Sequence, residues 1–205
     1  MNLFEYLKIK ECLTVPMRYC IGMVRYCFFL LGFVVSVLLV SGCSSSAEDF
    51  YVRMPARFRV QYVQTIPPLN AALNGMGEFA TIKQRNGAVY IYSNLQSSIQ
   101  RPMTAVEQRQ NVLGVSGFIV GLPNIPPLGY ERSVVVCYDL ACPNCYSESY
   151  LTREMQLQSG GFCSCALCSR VYDLNNQGYV VKGEAGKSLF RYRASYQNQV
   201  FWVNN

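Results

Sequence analysis

Two Cys-x-x-Cys pairs carry the most specific chemistry in this chain: Cys142-Pro143-Asn144-Cys145 and Cys165-Ala166-Leu167-Cys168, with 19 residues between them. Thiolates at that spacing suit a tetrahedral ion with metal–sulfur distances near about 2.3 Å, because each pair closes a tight turn and a hairpin between them can bring both turns together. Zinc held by Cys142, Cys145, Cys165 and Cys168 is the expectation. An alternative stays open, because six cysteines between Cys137 and Cys168 could form three disulfides and bind no metal. Cys142 and Cys145 alone also have the form of a thiol-disulfide oxidoreductase motif, whose first thiolate sits at a helix N-terminus. Residues 146 to 205 argue against it, since they read as strands and turns rather than alternating β and α segments.

Composition excludes much else. Histidine is absent, which removes Ser-His-Asp hydrolysis, His-paired cysteine catalysis, His-ligated zinc enzymes and haem with a proximal His. No pair of acids, phosphate loop or nucleophile motif stands out, so no catalytic residue is assigned and turnover is not expected. The net charge is +6, but residues 1 to 42 hold four Lys or Arg against two acids, and the 14 against 10 of the remainder give no argument for nucleic acid. A 51% hydrophobic, 15% charged composition belongs to a folded chain.

The elements that must position these cysteines are strands. Period-two alternation over Phe58, Val60 and Tyr62, the Ala88–Tyr92 run, and Gly117–Val120, Ser133–Val136, Gly178–Lys182, Phe190–Tyr196 and Val200–Val203 predict an all-β domain. Asn86-Gly87, Asn175 to Gly178 and Gln197-Asn198 supply turns. Tyr192, Ala194 and Tyr196 should share one buried face, and the abundant tyrosines and phenylalanines read as core. One short helix is predicted, from the capping box Thr104-Ala105-Val106-Glu107 to about Asn111.

Upstream, Cys27 to Val40 is an uncharged run of fourteen residues preceded by Lys8, Lys10, Arg18 and Arg25, the order of a secretory signal. At 1.5 Å per residue it spans about 21 Å, short of a bilayer core of about 30 Å, so an uncleaved anchor would need a longer run. Val40-Ser41-Gly42-Cys43 resembles the bacterial lipobox, which implies cleavage after residue 42, acylation of Cys43, a polar tether through residue 49 and a folded domain from residue 50. The implied place is the bacterial cell envelope, with the membrane as partner through the lipid. Ser44 after the cysteine points to the outer membrane.

The segment Ser133 to Pro143 with Cys165 to Leu174 resembles the two cluster-binding loops of Rieske domains. Cys142 and Cys165 fall on that family's cysteines, Cys168 on its second histidine, and Tyr172-Asp173 on its aromatic-acid pair. The resemblance implies a Rieske-like antiparallel β-sandwich over residues 50 to 205, with a cysteine-loop subdomain at 137 to 182 and both cysteine-bearing loops at one end. Asn144 replaces the first histidine, Cys168 the second and Ser169 the glycine, so a His-ligated 2Fe-2S cluster cannot form. An all-cysteine 2Fe-2S centre for electron transfer is the alternative cofactor. Export weighs against it, because Arg18 and Arg25 are not the paired arginines of the route that exports folded cluster proteins. Cys137 and Cys163 lie outside the ligand pairs and are disulfide candidates, with two buried free thiols as the alternative. A non-catalytic, lipid-anchored module with a structural cysteine site is the preferred function. Neither a protein partner nor a small-molecule ligand is named by these residues.

Overall fold

Alternation along residues 56 to 61 turns Ala56, Phe58 and Val60 inward and Arg57, Arg59 and Gln61 to solvent, the period of a half-buried strand. In the computed structural model, which describes residues 51–95, 97–126 and 130–205, this is strand β1 (Ala56–Gln61). It lies between β14 (Val200–Asn204) and β5 (Val112–Leu113), and β13 (Ala194–Gln197) completes a first sheet of order β13-β14-β1-β5. A second sheet of six strands runs β12 (Arg191–Tyr192), β7 (Val136–Asp139), β6 (Phe118–Leu122), β2 (Glu78–Arg85), β3 (Ala88–Ser93) and β4 (Ser98–Pro102). The third sheet is small, with order β11 (Tyr179–Lys182), β10 (Val171–Asp173), β9 (Phe162–Ser164) and β8 (Gln156–Gln158). Among the described residues fourteen strands, all paired antiparallel, make the fold all-β as expected. The leader, Cys12, Cys20, Cys27, the lipobox with Cys43 and the tether lie outside the described residues. Among the described residues no helix is long and apolar enough to cross a membrane.

The six-stranded sheet is the middle layer, and its central strands are buried on both faces. Its strand β6 reads Phe-Ile-Val-Gly-Leu without polar alternation, the pattern of a strand covered on both sides. Phe118, Val120, Cys137 and Tyr192 face the first sheet, where Phe58, Phe201 and Val203 meet them in one apolar cluster. The Phe118 ring stands edge-on to Phe58 at 6.2 Å and to Tyr192 at 5.4 Å. Ile119, Val136 and Tyr138 face the other way, into a second cluster with Tyr172, Leu174 and four of the cysteines. Burial of each such aromatic contributes about 1.5–3 kcal/mol.

Sequence reasoning needs correction at several elements. Three short helices are described rather than one: α1 (Pro67–Asn74), α2 (Ala105–Gln110) and α3 (Pro143–Ser149). α1 and α3 each open with proline, whose fixed φ suits the first helical turn and whose missing N–H costs nothing there. Leu69, Ala72 and Leu73 of α1 supply the inward stripe. The strand expected at Ser133–Val136 begins only at Val136, because its pairing with β6 runs from Gly121↔Val136 to Phe118↔Asp139. The strand expected at Phe190–Tyr196 divides at Arg193, pairing first with β7 and then with β14. Tyr192, Ala194 and Tyr196 still share one apolar cluster, since both sheets face the same interior.

α2 forms where the capping box predicts it, with the Glu107 amide donating to Thr104 Oγ1 at 3.2 Å and the Thr104 amide to Glu107 Oε2 at 2.8 Å. Arg101 adds two hydrogen bonds to the same carboxylate and chiefly holds the Glu107 carboxyl down at about 2, from an ordinary 4.5. A depressed carboxyl stabilises the fold above its unfolded value and loses that effect as pH falls. Glu107→Gln is therefore expected to lower stability by about 1 kcal/mol at neutral pH. In urea melts the gap to the parent chain should close as pH falls from 4.5 towards 2.

Candidate metal centre

The first cysteine loop leaves the middle sheet through a buried carboxylate. Asp139, at the end of β7, accepts hydrogen bonds from the Tyr192 hydroxyl at 2.6 Å and from the amides of Val115 and Ala141 at 2.7 Å each, with Ser116 at 3.3 Å. Burial outweighs these donors and holds its carboxyl above the usual range. Gly114, at φ 61°, is required beside it, because a Cβ there would meet both the Tyr192 hydroxyl and the Asp139 carboxylate. Three residues further on, Cys142 becomes the N-cap of α3, and Cys145 lies one turn into that helix. The Cys142 amide donates to the Arg153 carbonyl at 2.8 Å and the Met155 amide to Leu140 at 2.7 Å, closing the loop.

The second loop is the tip of the β9–β10 hairpin. Cys165 donates its amide to the Arg170 carbonyl at 3.0 Å and accepts from the Ser169 amide at 2.9 Å, a tight knuckle across Cys165–Arg170. Ser169 sits at φ 58°, the left-handed region that usually favours glycine. The β8–β9 hairpin between the two pairs returns the chain to the first loop, and the four sulfurs converge as the spacing predicts. Cys142 Sγ lies 3.6 Å from Cys168 Sγ, and Cys145 Sγ 3.7 Å from Cys165 Sγ. All four lie within 4.8 Å of one another. A regular tetrahedron with metal–sulfur distances of 2.3 Å has edges of about 3.8 Å.

Polar groups are arranged around the four sulfurs. The Asn144 amide donates to the Tyr172 hydroxyl at 2.8 Å, which leaves the hydroxyl hydrogen free to point at Cys142 Sγ, 3.4 Å away. Asn144 also donates to the Lys187 carbonyl at 3.0 Å and accepts from its amide at 2.9 Å, clamping the 183–189 segment over α3. Gly186 permits that approach, because a Cβ there would run into the Asn144 side chain. On the other side, the nearly inaccessible Arg170 pairs with Glu184 at 3.0 Å and Glu148 at 3.4 Å. Burial raises the Cys142 and Cys145 thiols. For Cys168, burial is outweighed by the Arg170 amide and guanidinium and by neighbouring thiols, which bring it down to about 7. Sequence reasoning missed Asn144 as a clamp and Arg170 as the enclosed cation. Only the position of Asn144 inside the first Cys-x-x-Cys hinted at the former.

The suggested disulfide between Cys137 and Cys163 is not formed, and both are buried free thiols. Alternation along β7 turns Cys137 towards the first sheet, whereas Cys163 belongs to the cluster under the third. They therefore face different interiors. For a thiol-disulfide enzyme, the strand–cysteine–helix piece is present locally, but Cys142 has no exposed surface and a raised thiol, the reverse of what an attacking thiolate needs.

Tyr172→Phe removes the hydroxyl between Asn144 and Cys142 while keeping the ring. It is expected to weaken metal retention by about 10-fold in a chelator competition, the scale of lost outer ligand support, with the fold intact by circular dichroism.

Comparison of the chain with known protein families and with curated proteins returned no match. What the centre can do is read from its own geometry.

Proposed function

We propose that this protein is a lipid-anchored module of the bacterial cell envelope, Rieske-like in fold, in which Cys142, Cys145, Cys165 and Cys168 hold one zinc ion as a structural element without turnover. The observation that carries the zinc reading is the mutual approach of all four sulfurs within 4.8 Å. A 2Fe-2S centre would divide its ligands between two irons and spread the pairs apart. One ion asks for a single compact set, as here. Three of the four cysteines are buried and only Cys168 is partly exposed, which matches a closed structural zinc site with no position left for water or substrate.

Support for the Rieske-like part is positional. The two cysteine-bearing loops meet at one centre, Ser169, at the position of the family's glycine, has a left-handed φ of 58° that favours glycine, and Tyr172 stands beside Cys142. Asn144, at the position of the missing first histidine, turns to Tyr172 and Lys187. The lipid anchor rests on Val40 to Cys43 following the apolar run, and the outer membrane on Ser44.

Protein purified from its native envelope without reductant should be colourless and carry about one zinc per chain. Cys165→Ser should lose the ion and lower the Tm, because metal-binding free energy contributes to folding. Visible absorption with stoichiometric iron and acid-labile sulfide, or mass mapping that finds the four cysteines in disulfides, would overturn the zinc assignment. Cys43→Ala should abolish acylation and detergent partitioning. Retention in the membrane with a cleaved leader would exclude Cys43 as the anchor.

A further inference from the structure

We infer that the outer face of the β13-β14-β1-β5 sheet docks onto the anionic phospholipid headgroups of the membrane to which Cys43 tethers the chain, an inference that rests on the lipid anchor proposed above. Directly opposed residues of antiparallel strands share a face. Register places Arg59 opposite Trp202, and Arg57 opposite both Asn204 and Val112. Arg193 extends the second row, its carbonyl accepting from the Asn204 amide at 3.2 Å. The alternate residues Phe58, Val60, Phe201 and Val203 fill the core, so this face has no inner partner. Arg57, Arg59 and Trp202 line one shallow groove together with the amides of Gln110 and Asn111.

The charge on this face is uncompensated. Among the described residues its four strands carry no acid and no ion pair involves Arg57 or Arg59; Glu107, which lines the adjoining groove with Arg59, is taken up by Arg101. The ion pairs among the described residues all lie elsewhere: Lys83 with Glu154, Arg101 with Glu107, Arg170 with Glu148 and Glu184. Arg57 and Arg59 beside a partly exposed tryptophan, 36% accessible, combine attraction to lipid phosphate with a ring that favours the headgroup boundary, while the Arg193 guanidinium at the edge lies over the Tyr51 ring at 5.0 Å. The tether supplies the encounter. Ala56 lies thirteen residues after Cys43, a span of at most about 45 Å even fully extended, so an acylated chain keeps β1 within that distance of the bilayer.

Trp202 is the only tryptophan in the chain and reports the contact directly. The mature protein is reconstituted into vesicles with brominated acyl chains, either pure phosphatidylcholine or with about 30% phosphatidylglycerol. Trp202 quenching should be about threefold or more stronger in the anionic vesicles and should fall to the neutral level at about 0.5 M salt, where screening is short-ranged. Arg57→Gln with Arg59→Gln should abolish the difference, whereas Arg85→Gln, an exposed arginine at the end of β2, should leave it. Equal quenching in both vesicle types would overturn the docking face. Flotation separates the two ideas: an acylated chain floats with neutral vesicles, while flotation with anionic vesicles alone would keep the face and discard the anchor. Flotation with neither would discard both.

Discussion

Four sulfurs held within 4.8 Å of one another, three of them out of water, impose the constraint around which the cysteine end is organised. Two like charges at such a distance repel by about 4 kcal/mol at an effective dielectric near 20, so four adjacent thiolates need a cation between them. A divalent ion would gather them, and the Tyr172 hydroxyl and the Arg170 amide and guanidinium stand where they would address the charge left over. Asn144 then acts at one remove, orienting Tyr172 and fastening the 183–189 segment. Arg170 is enclosed with two glutamates rather than left as an isolated buried charge, which is the arrangement a buried guanidinium requires.

The same constraint explains why the third sheet can be so small. Its strands β8, β9 and β10 have three residues each, too short to hold together unsupported. Two things stand beneath it: the Tyr138 and Ile119 side of the middle sheet, and the sulfur centre at the hairpin tip. The middle sheet in turn needs the first sheet to cover Phe118 and Val120. Cysteine cluster, third sheet and core therefore support one another, and an ion bound at the cluster would add its binding free energy to folding.

Asp139 connects these layers. It ends β7, receives the turn at Val115 and Ser116, and takes the Tyr192 hydroxyl from β12, so the point from which the first cysteine loop departs is fixed from three directions. At the far side of the first sheet the electrostatics are opposite in kind. There Arg57 and Arg59 stand in the open without ion pairs, whereas at the cysteine end Glu148 and Glu184 enclose Arg170.

By itself the sequence determined the class of the fold, because alternation in strands such as Phe58–Val60 and Val200–Val203 has a period only β structure satisfies. It also determined which four cysteines converge, because two Cys-x-x-Cys turns joined by a hairpin leave few ways to place their sulfurs, and it determined α2, whose capping box is local. The structure alone decided how the strands divide among three sheets: the run from Phe190 to Tyr196 passes from one sheet to another at Arg193 with no change in its pattern. It decided that Cys137 and Cys163 part company, since strand alternation shows that a residue is buried but not which of two interiors receives it. It also decided the roles of Asn144 and Arg170, which depend on residues 43 and 14 positions away. Hydrophobic periodicity is a property of neighbours along the chain, whereas the pairing of a buried polar group is a property of whatever the fold brings to it.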